Sequence, residues 1–416
     1  MSSFKSPRGV RDILPPETAR WRALESQFAG VCERAGYGEL VSPMFEDAGV
    51  FARLGEDTAV VSKEMYDFFD KKGRRMALRP ELTASAARAF IEHNPVVPWK
   101  VWYSGPQFRY EQPQAGRYRQ FMQVGIELFG VDDPHSDVEV IALGWEFLRS
   151  LGLQNMTLLV NTLGDSESRS AYAGVLGDYL AESELSEASV ETAQKNPLRV
   201  LDSKREQDQQ VIAGAPSCLD HLTSEAADRF AAVRSGLDTL GIAYEVSPRL
   251  VRGLDYYTHT AFEYVSNSLT SAQNALGGGG RYDGLIEALG GTSTPGIGFA
   301  LGADRILLAC DTEETFLLSE TSLDVFIVDI TDGQAALTLA QELRSAGISA
   351  DRAWGSRSLK AHMKAANRSN ARFALIVGTD EQASGTVSVK DLETSQQTQI
   401  SQDAIVEHLQ SRLKQL

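Results

Sequence analysis

Residues 101–130 hold two runs of strand character, VWYSGPQFRYE and RQFMQVGIELFG, separated only by QPQAGRY. Pro113, Gly116 and Arg117 in that joint, with Arg119 just beyond it, give a hairpin-like loop with arginines at its tip. So short a joint pairs the two runs antiparallel, unlike the strand-then-helix series of a parallel dinucleotide-binding fold. Whatever the rest of the chain does, it has to build around this ribbon.

The surrounding pattern supplies the other layers. Trp21, Leu24, Phe28 and Cys32 recur at helical spacing over residues 17–36, and YGELVSPMFEDAGVF reads as a strand, a break at Pro43 and a new segment. Residues 135–151 read as a helix and MTLLVNTLG as a strand. From Asp165 to about Phe230 the chain is helical and acidic, which predicts an inserted helical module. Strands return with AYEVSPRLVRGLDYYTHTAFEYVS, placing Arg252 in a strand context, and GIGFALGADRILLAC closes the core as strand then helix. Residues 311–323 are acidic and aperiodic, a linker. Beyond it, DVFIVDI, a helix from about Gly333 to Ala346, ISADRAW, a helix over Lys360 to Ser369, and ARFALIVG form a separate β-α-β-α-β domain. At 416 residues, two or three domains are expected.

The chemistry concentrates in two blocks. Arginines at 79, 109, 117, 119, 252, 281 and 305 lie beside Glu81, Glu111, Gln123, Glu127 and Glu263, among glycines and aromatics. Arginine forks suit phosphate, whereas buried carboxylates and amides suit an amino group, so the pattern fits a ligand both polyphosphorylated and zwitterionic. In a strand, Arg109 and Glu111 would share a face. GGGGRYDG (277–284) lacks the lysine and hydroxyl of a P-loop, and GIGFALG lacks the dinucleotide spacing; the glycine run instead suggests close backbone approach to a ligand. The six histidines and Cys32, Cys218 and Cys310 have no metal-ligand spacing, and no nucleophile elbow occurs, so metal sites and covalent catalysis are not indicated.

Charge restricts partners. The net charge of −16 argues against bulk electrostatic binding of nucleic acid, yet no acidic residue occurs from Arg352 to Arg372. Arg357, Lys360, Lys364 and Arg368 fall on one helix face there, a basic stripe suited to nucleic acid. The opening MSSFKSPRGVRDILPPE has no apolar signal region and no run is long enough to span a bilayer, so a reduced cytoplasmic setting without membrane is expected.

Taken together these blocks resemble the class II aminoacyl-tRNA synthetases, and within them the histidyl-tRNA synthetase family, over nearly the whole chain. RGVRDILPPE resembles the family's opening, GYGELVSPMFED the class dimer motif, FRYEQPQAGRYRQF the second motif and GIGFALGADR the third. LRPELTA and LVRGLDYYTHTAFEY resemble the two histidine-specific signatures, and NPLRVLDSK and ARFALIVG…GTVSVKDL also match.

The resemblance implies an α+β fold: a class II antiparallel sheet flanked by helices over residues 1–320, a helical insertion at about 165–230, and an anticodon-binding α/β domain over 324–416. It implies a homodimer that activates histidine with ATP and transfers it to tRNA(His), with Mg2+ carried by the nucleotide. By the same resemblance, Arg109 takes the α-phosphate, Glu111 the adenine amino group, Phe121 stacks on adenine, and Arg117 and Arg305 face the β and γ phosphates. Glu81, Thr83 and Gln123 take the amino group of histidine, Glu127 and Tyr257 its imidazole nitrogens, and Tyr256 walls the pocket. Arg252 lies near carboxylate and α-phosphate, so Arg252 and Arg109 carry catalysis; Arg357, Lys360, Lys364 and Arg368 are the tRNA candidates. The chain departs from the family at Leu82, Tyr110, Gln112, Met122 and Asp304, where glycine, histidine, arginine, histidine and glutamate are common. The alternative is a histidine-binding regulatory paralogue of histidine biosynthesis, which typically lacks the last domain and degrades the ATP arginines; this chain has both.

Overall fold

The structure, a computed structural model, describes residues 4–53, 55, 58, 60–203, 205–252, 256–270, 274–317, 323–355 and 358–414. The chain forms two compact units, Met1–Leu317 and Leu318–Leu416.

The first unit is organised by an eight-stranded sheet. The expected ribbon lies toward one edge of it: strand Trp99–Phe108 pairs antiparallel with Gln120–Phe129 in unbroken register from Trp99↔Phe129 to Phe108↔Gln120. Strands Gly296–Gly302, Ala275–Arg281, Thr258–Ser266 and Met156–Thr162 follow, each antiparallel to the last. Short strands Gly38–Glu39 and Glu245–Val246 close the two edges in parallel. A smaller three-stranded sheet, Phe45–Asp47, Tyr66–Phe69 and Arg75–Leu78, is separate.

Strand alternation sorts the large sheet into two faces. Val124, Ile126 and Leu128 join the main core with Leu24, Phe28, Val140, Phe147, Val233 and Ile306, contributed by helices Glu17–Arg34, Pro134–Ser150, Ser224–Thr239 and Ala303–Thr312. Phe28 sits at its middle, edge-on to Trp102, Phe147 and Phe299. Gln123 and Glu127 project from the same strand to the opposite face. There, helix Thr83–His93 and a second cluster around Phe129, Ala261 and Tyr282 cover one end. The remainder of that face is open enough to hold a ligand.

The helical stretch has its own small core of Tyr172, Leu176, Leu198, Val200, Ile212 and Cys218. Asp208 is its polar hub, accepting from Ser186 N–H at 2.8 Å and from the hydroxyls of Ser189 and Ser203 at 2.6 Å. Helix Ser224–Thr239 belongs elsewhere: Phe230, Val233 and Leu237 return to the main core.

The second unit has the expected parallel strands Val325–Asp329, Ala350–Arg352 and Phe373–Val377, extended by antiparallel Thr386–Asp391 and Gln397–Ser401. Helices Gln334–Ser345 and Ile405–Leu413 cover its apolar core.

One local expectation is corrected: Arg252 lies outside any strand, since the ladder begins at Thr258, while the glycine run forms part of the interior strand 275–281.

Candidate active site

A cavity of about 250 Å³ lies on the ligand-side face of the large sheet. Its walls come from the start of helix 83–93, the hairpin loop and strand 120–129, the side chains Arg252, Tyr256, Tyr257 and Glu263, the glycine strand, and the end of strand 296–302 with Asp304 and Arg305.

One end is built from buried acids and hydroxyls. Leu82, at the N-cap of helix 83–93, has no side-chain capping bond, and Glu81 supplies it instead, accepting from Thr83 N–H and Ala84 N–H at 2.8 Å each. Burial raises the Glu81 carboxyl above its ordinary range, against the pull of those two N–H groups. Behind it the fully buried Glu127 accepts from Thr83 Oγ1 at 2.7 Å, Tyr103 Oη at 3.1 Å and Tyr282 Oη. Burial pushes Glu127 up to about 8, the three hydroxyls opposing this and Glu81 adding to it. Gln123 presents a buried amide oxygen with no partner in the protein. Tyr256 and Tyr257, with ring centroids 4.6 Å apart, close the wall, and Tyr256 meets Tyr282 edge-on.

The other end is built from guanidinium groups. Arg109 is fixed by its Nε to Pro80 O at 2.9 Å and stands 5.4 Å over the Phe121 ring. Strand 99–108 stops just before Arg109, so the shared placement of Arg109 and Glu111 on the cavity wall comes from the loop rather than from alternation. Arg117 pairs with the Glu111 carboxylate. Burial alone would raise Glu111; the bond to Arg117 and the charges of Arg117, Arg109 and Arg305 hold it below its ordinary range. Arg305 ties the loop to the sheet, donating to Gly116 O at 3.2 Å and Ala275 O at 2.9 Å. Burial and the charges of Arg117 and Arg109 lower the Arg305 pKa.

Arg252 stands at the join. Its Nη1 lies 3.6 Å from Glu263 Oε2, its Nε is buried without a partner, and its Cζ is 5.8 Å from the Tyr257 ring centre. Burial opposes its charge, but Tyr257 and Glu263 outweigh it and raise the pKa. Beneath lies a floor of bare backbone. A Cβ on Gly278 would fall 2.3 Å from Phe262 O and 2.9 Å from Arg252 Nη1.

The cavity therefore gathers Glu81, Thr83, Arg109, Glu111, Arg117, Phe121, Gln123, Arg252, Tyr256, Tyr257 and Arg305 from the sequence-derived set. Glu127 does not line it but sits one layer behind Thr83. Three arginines of the sequence blocks fall outside. Arg281 is fully buried and matched by Asp137, Asp283 at 3.0 Å, Ser136 Oγ at 2.8 Å and Val131 O at 3.1 Å. Arg79 donates to Ser42 O and Pro106 O, and Arg119 lies 3.7 Å over the Tyr110 ring. Each satisfies backbone or core groups, a use that residue type alone does not reveal. Conversely, Tyr118 and Asp304 line the cavity without having been given a role, and Tyr103 and Tyr282 hold Glu127. Strand alternation placing Tyr103 on the face of Gly105 and Gln107 was the available signal for one of them.

In the second unit, helix Leu359–Arg368 exposes Lys360, Lys364 and Arg368 and buries His362 and Ala366. Arg357 lies outside the described residues.

An antiparallel sheet bearing an arginine-and-carboxylate cavity, with a further α/β unit, is the architecture of a class II aminoacyl-tRNA synthetase. The profile described as Histidyl-tRNA synthetase matches residues 9–306, and that described as Anticodon binding domain matches 324–412. The chain is 48% identical over 420 residues to the histidine–tRNA ligase of Mycobacterium tuberculosis, covering 99% of each chain. It is 46% identical over 414 residues to that of Corynebacterium urealyticum, covering 98% of this chain and 97% of the relative. The solved apo histidyl-tRNA synthetase of S. aureus superposes with a TM-score of 0.83 at 38% identity, over 98% of this chain and all of that one. The chain belongs to the histidyl-tRNA synthetase family.

Proposed function

We propose that the chain joins histidine to tRNA(His) in two steps driven by ATP. The observation that carries this is one cavity with two chemically opposite ends, acids and amide at one and arginines at the other, meeting at Arg252.

Histidine lies at the acidic end. Glu81, Thr83 and the unpartnered Gln123 oxygen receive its ammonium, Tyr257 meets the imidazole, Glu127 acts on it from behind through Thr83, and Tyr256 walls the pocket. A pocket built to pair polar atoms rejects analogues lacking them, because its own groups would be left unmatched. ATP lies at the other end, adenine on Phe121 with its amino group at Glu111, the α-phosphate on Arg109, and the outer phosphates toward Arg117 and Arg305. Mg2+ is carried by the nucleotide, and Glu263, which lines the cavity, is the carboxylate that would meet it.

Arg252 and Arg109 are the catalytic residues. A histidine carboxylate oxygen bonds to the α-phosphorus as the bond to pyrophosphate breaks, and fixed guanidinium charges stabilise the negative charge spread in between. The terminal ribose hydroxyl of the tRNA then attacks the adenylate carbonyl, expelling AMP. No protein nucleophile is needed. The domains follow: residues 1–320 catalyse, with the insertion at about 165–230, and 324–416 read the anticodon region through Lys360, Lys364, Arg368 and Arg357. The regulatory reading is not favoured, since the ATP arginines and the last unit are both in place.

A homodimer is supported by an exposed apolar face on and beside the small sheet. Val41 is 83% exposed and Phe69 70%, with Met44, Phe45 and Phe68 alongside. We place the enzyme in the cytoplasm: its three cysteines are free and buried.

Histidine-dependent ATP–pyrophosphate exchange, run beside tRNA charging, tests the proposal. Exchange with charging supports it; histidine binding without exchange overturns it in favour of the regulatory reading.

A further inference from the structure

The loop that carries Arg117 is held from outside by the segment Arg8–Arg11. Strand 99–108 ends before the loop and strand 120–129 begins after it, so residues 109–119 have no sheet ladder of their own. Arg119 is instead gripped on both sides: its carbonyl accepts from Arg109 N–H at 2.9 Å, and its own N–H donates to Gly9 O at 2.7 Å. Gly9 has φ +87°, and a Cβ there would fall 2.8 Å from Arg119 Cγ and Cδ and 2.9 Å from Pro113 Cγ. The segment is therefore seated as backbone against the loop, at a spot where no side chain fits.

Two residues on, Arg11 reaches the cavity wall itself. Its guanidinium lies 5.0 Å from the ring centre of Tyr118, and its two Nη atoms pair with Glu17 at 2.8 Å and Asp304 at 3.3 Å. Both Tyr118 and Asp304 line the cavity. The other Asp304 oxygen accepts from Met122 N–H at 3.2 Å, beyond the last paired residue of the strand, Gln123↔Gly302. Asp304 also immediately precedes Arg305, whose Nε returns to Gly116 O. Arg11 thus touches, through two intermediaries, both sides of the guanidinium end.

We infer that Gly9 and Arg11 are positioning residues for the nucleotide: they fix the loop and Asp304 so that Arg117 and Arg305 face a common point. The inference rests on the ATP assignment above, and concerns the nucleotide only, since neither residue approaches the acidic end.

The experiment is pyrophosphate exchange with the full-length wild type and the variants Arg11→Ala, Arg11→Lys and Gly9→Val, varying ATP and histidine separately, with histidine binding measured alone. Loss of a charge-assisted contact predicts about a tenfold rise in the KM for ATP in Arg11→Ala. The KM for histidine and histidine binding should stay within about twofold, and Arg11→Lys, which keeps the Asp304 pair, should recover part of the ATP effect. Gly9→Val should fall on the same side as Arg11→Ala. An unchanged ATP KM in Arg11→Ala overturns the inference. So does an equal rise in both KM values with a lowered Tm, which is what general loosening would give. Absence of exchange in the wild type would instead overturn the ATP assignment itself.

Discussion

The two ends of the cavity are stabilised in opposite ways. At the acidic end both carboxyl groups already have partners, Glu81 capping a helix and Glu127 holding three hydroxyls, while the Gln123 amide oxygen is left open. At the arginine end, Arg109, Arg117 and Arg305 lie close enough for the first two to depress the third, with Glu111 and Glu263 opposing them. The carboxyls of the first end are set in place before a ligand arrives, whereas the second holds mutually repelling guanidinium groups whose repulsion a polyanion relieves. Preorganised hydrogen bonds confer selectivity, whereas the guanidinium cluster confers affinity and transition-state stabilisation.

The junction should be the most sensitive point. Arg252→Ala is expected to lower pyrophosphate exchange by about 10²–10³-fold while ATP binding is largely kept, the effect of removing one transition-state donor. Normal exchange would erase the distinction between the junction and the arginine end. Next, Glu127→Ala leaves Thr83, Tyr103 and Tyr282 without their acceptor, at about 1–3 kcal/mol for each buried group left unmatched. Histidine selectivity should collapse while ATP binding alone is retained, and an unchanged preference over other amino acids would break the assignment of that end. Arg117→Ala should raise the KM for ATP about tenfold and leave histidine binding intact; a matching rise for histidine would merge the two ends into one.

The last test is a pH slope. Glu127 titrates near 8 in the folded chain against 4.5 when unfolded. Folding therefore favours its protonated form, so its contribution is complete below about pH 4.5 and is lost as the pH rises through about 8. Denaturant unfolding of wild type and Glu127→Gln should diverge by up to about 1.4 kcal/mol per pH unit across that window. Parallel curves would show that the acidic end carries no trapped proton.

The sequence exposed this layout unevenly. The ribbon was legible because a joint from Gln112 to Tyr118 admits only antiparallel pairing, and the β-α-β unit because its apolar runs alternate with amphipathic helices. Arginine roles were not. Arg252 and Arg281 each sit near acids and glycines in the sequence, yet one keeps an unpartnered Nε and the other is matched by Asp137, 144 residues away. Such pairing is decided by tertiary proximity, which local pattern does not carry. The glycine run did not declare its secondary structure for a related reason: GGGG has no β-branched residues, and only its neighbours Thr258–Ser266 and Gly296–Gly302 make it a strand. Helix Ser224–Thr239 likewise followed the insertion in composition but rejoined the main core in space.

That glycine floor bears on inhibition. At Gly278 even an alanine methyl would run into Phe262 O, and at Gly277 one would lie 2.3 Å from Ala300 O. A compound that takes its grip from this patch of backbone presses on positions where the chain has almost no viable replacements, so escape mutants would have to arise elsewhere in the pocket.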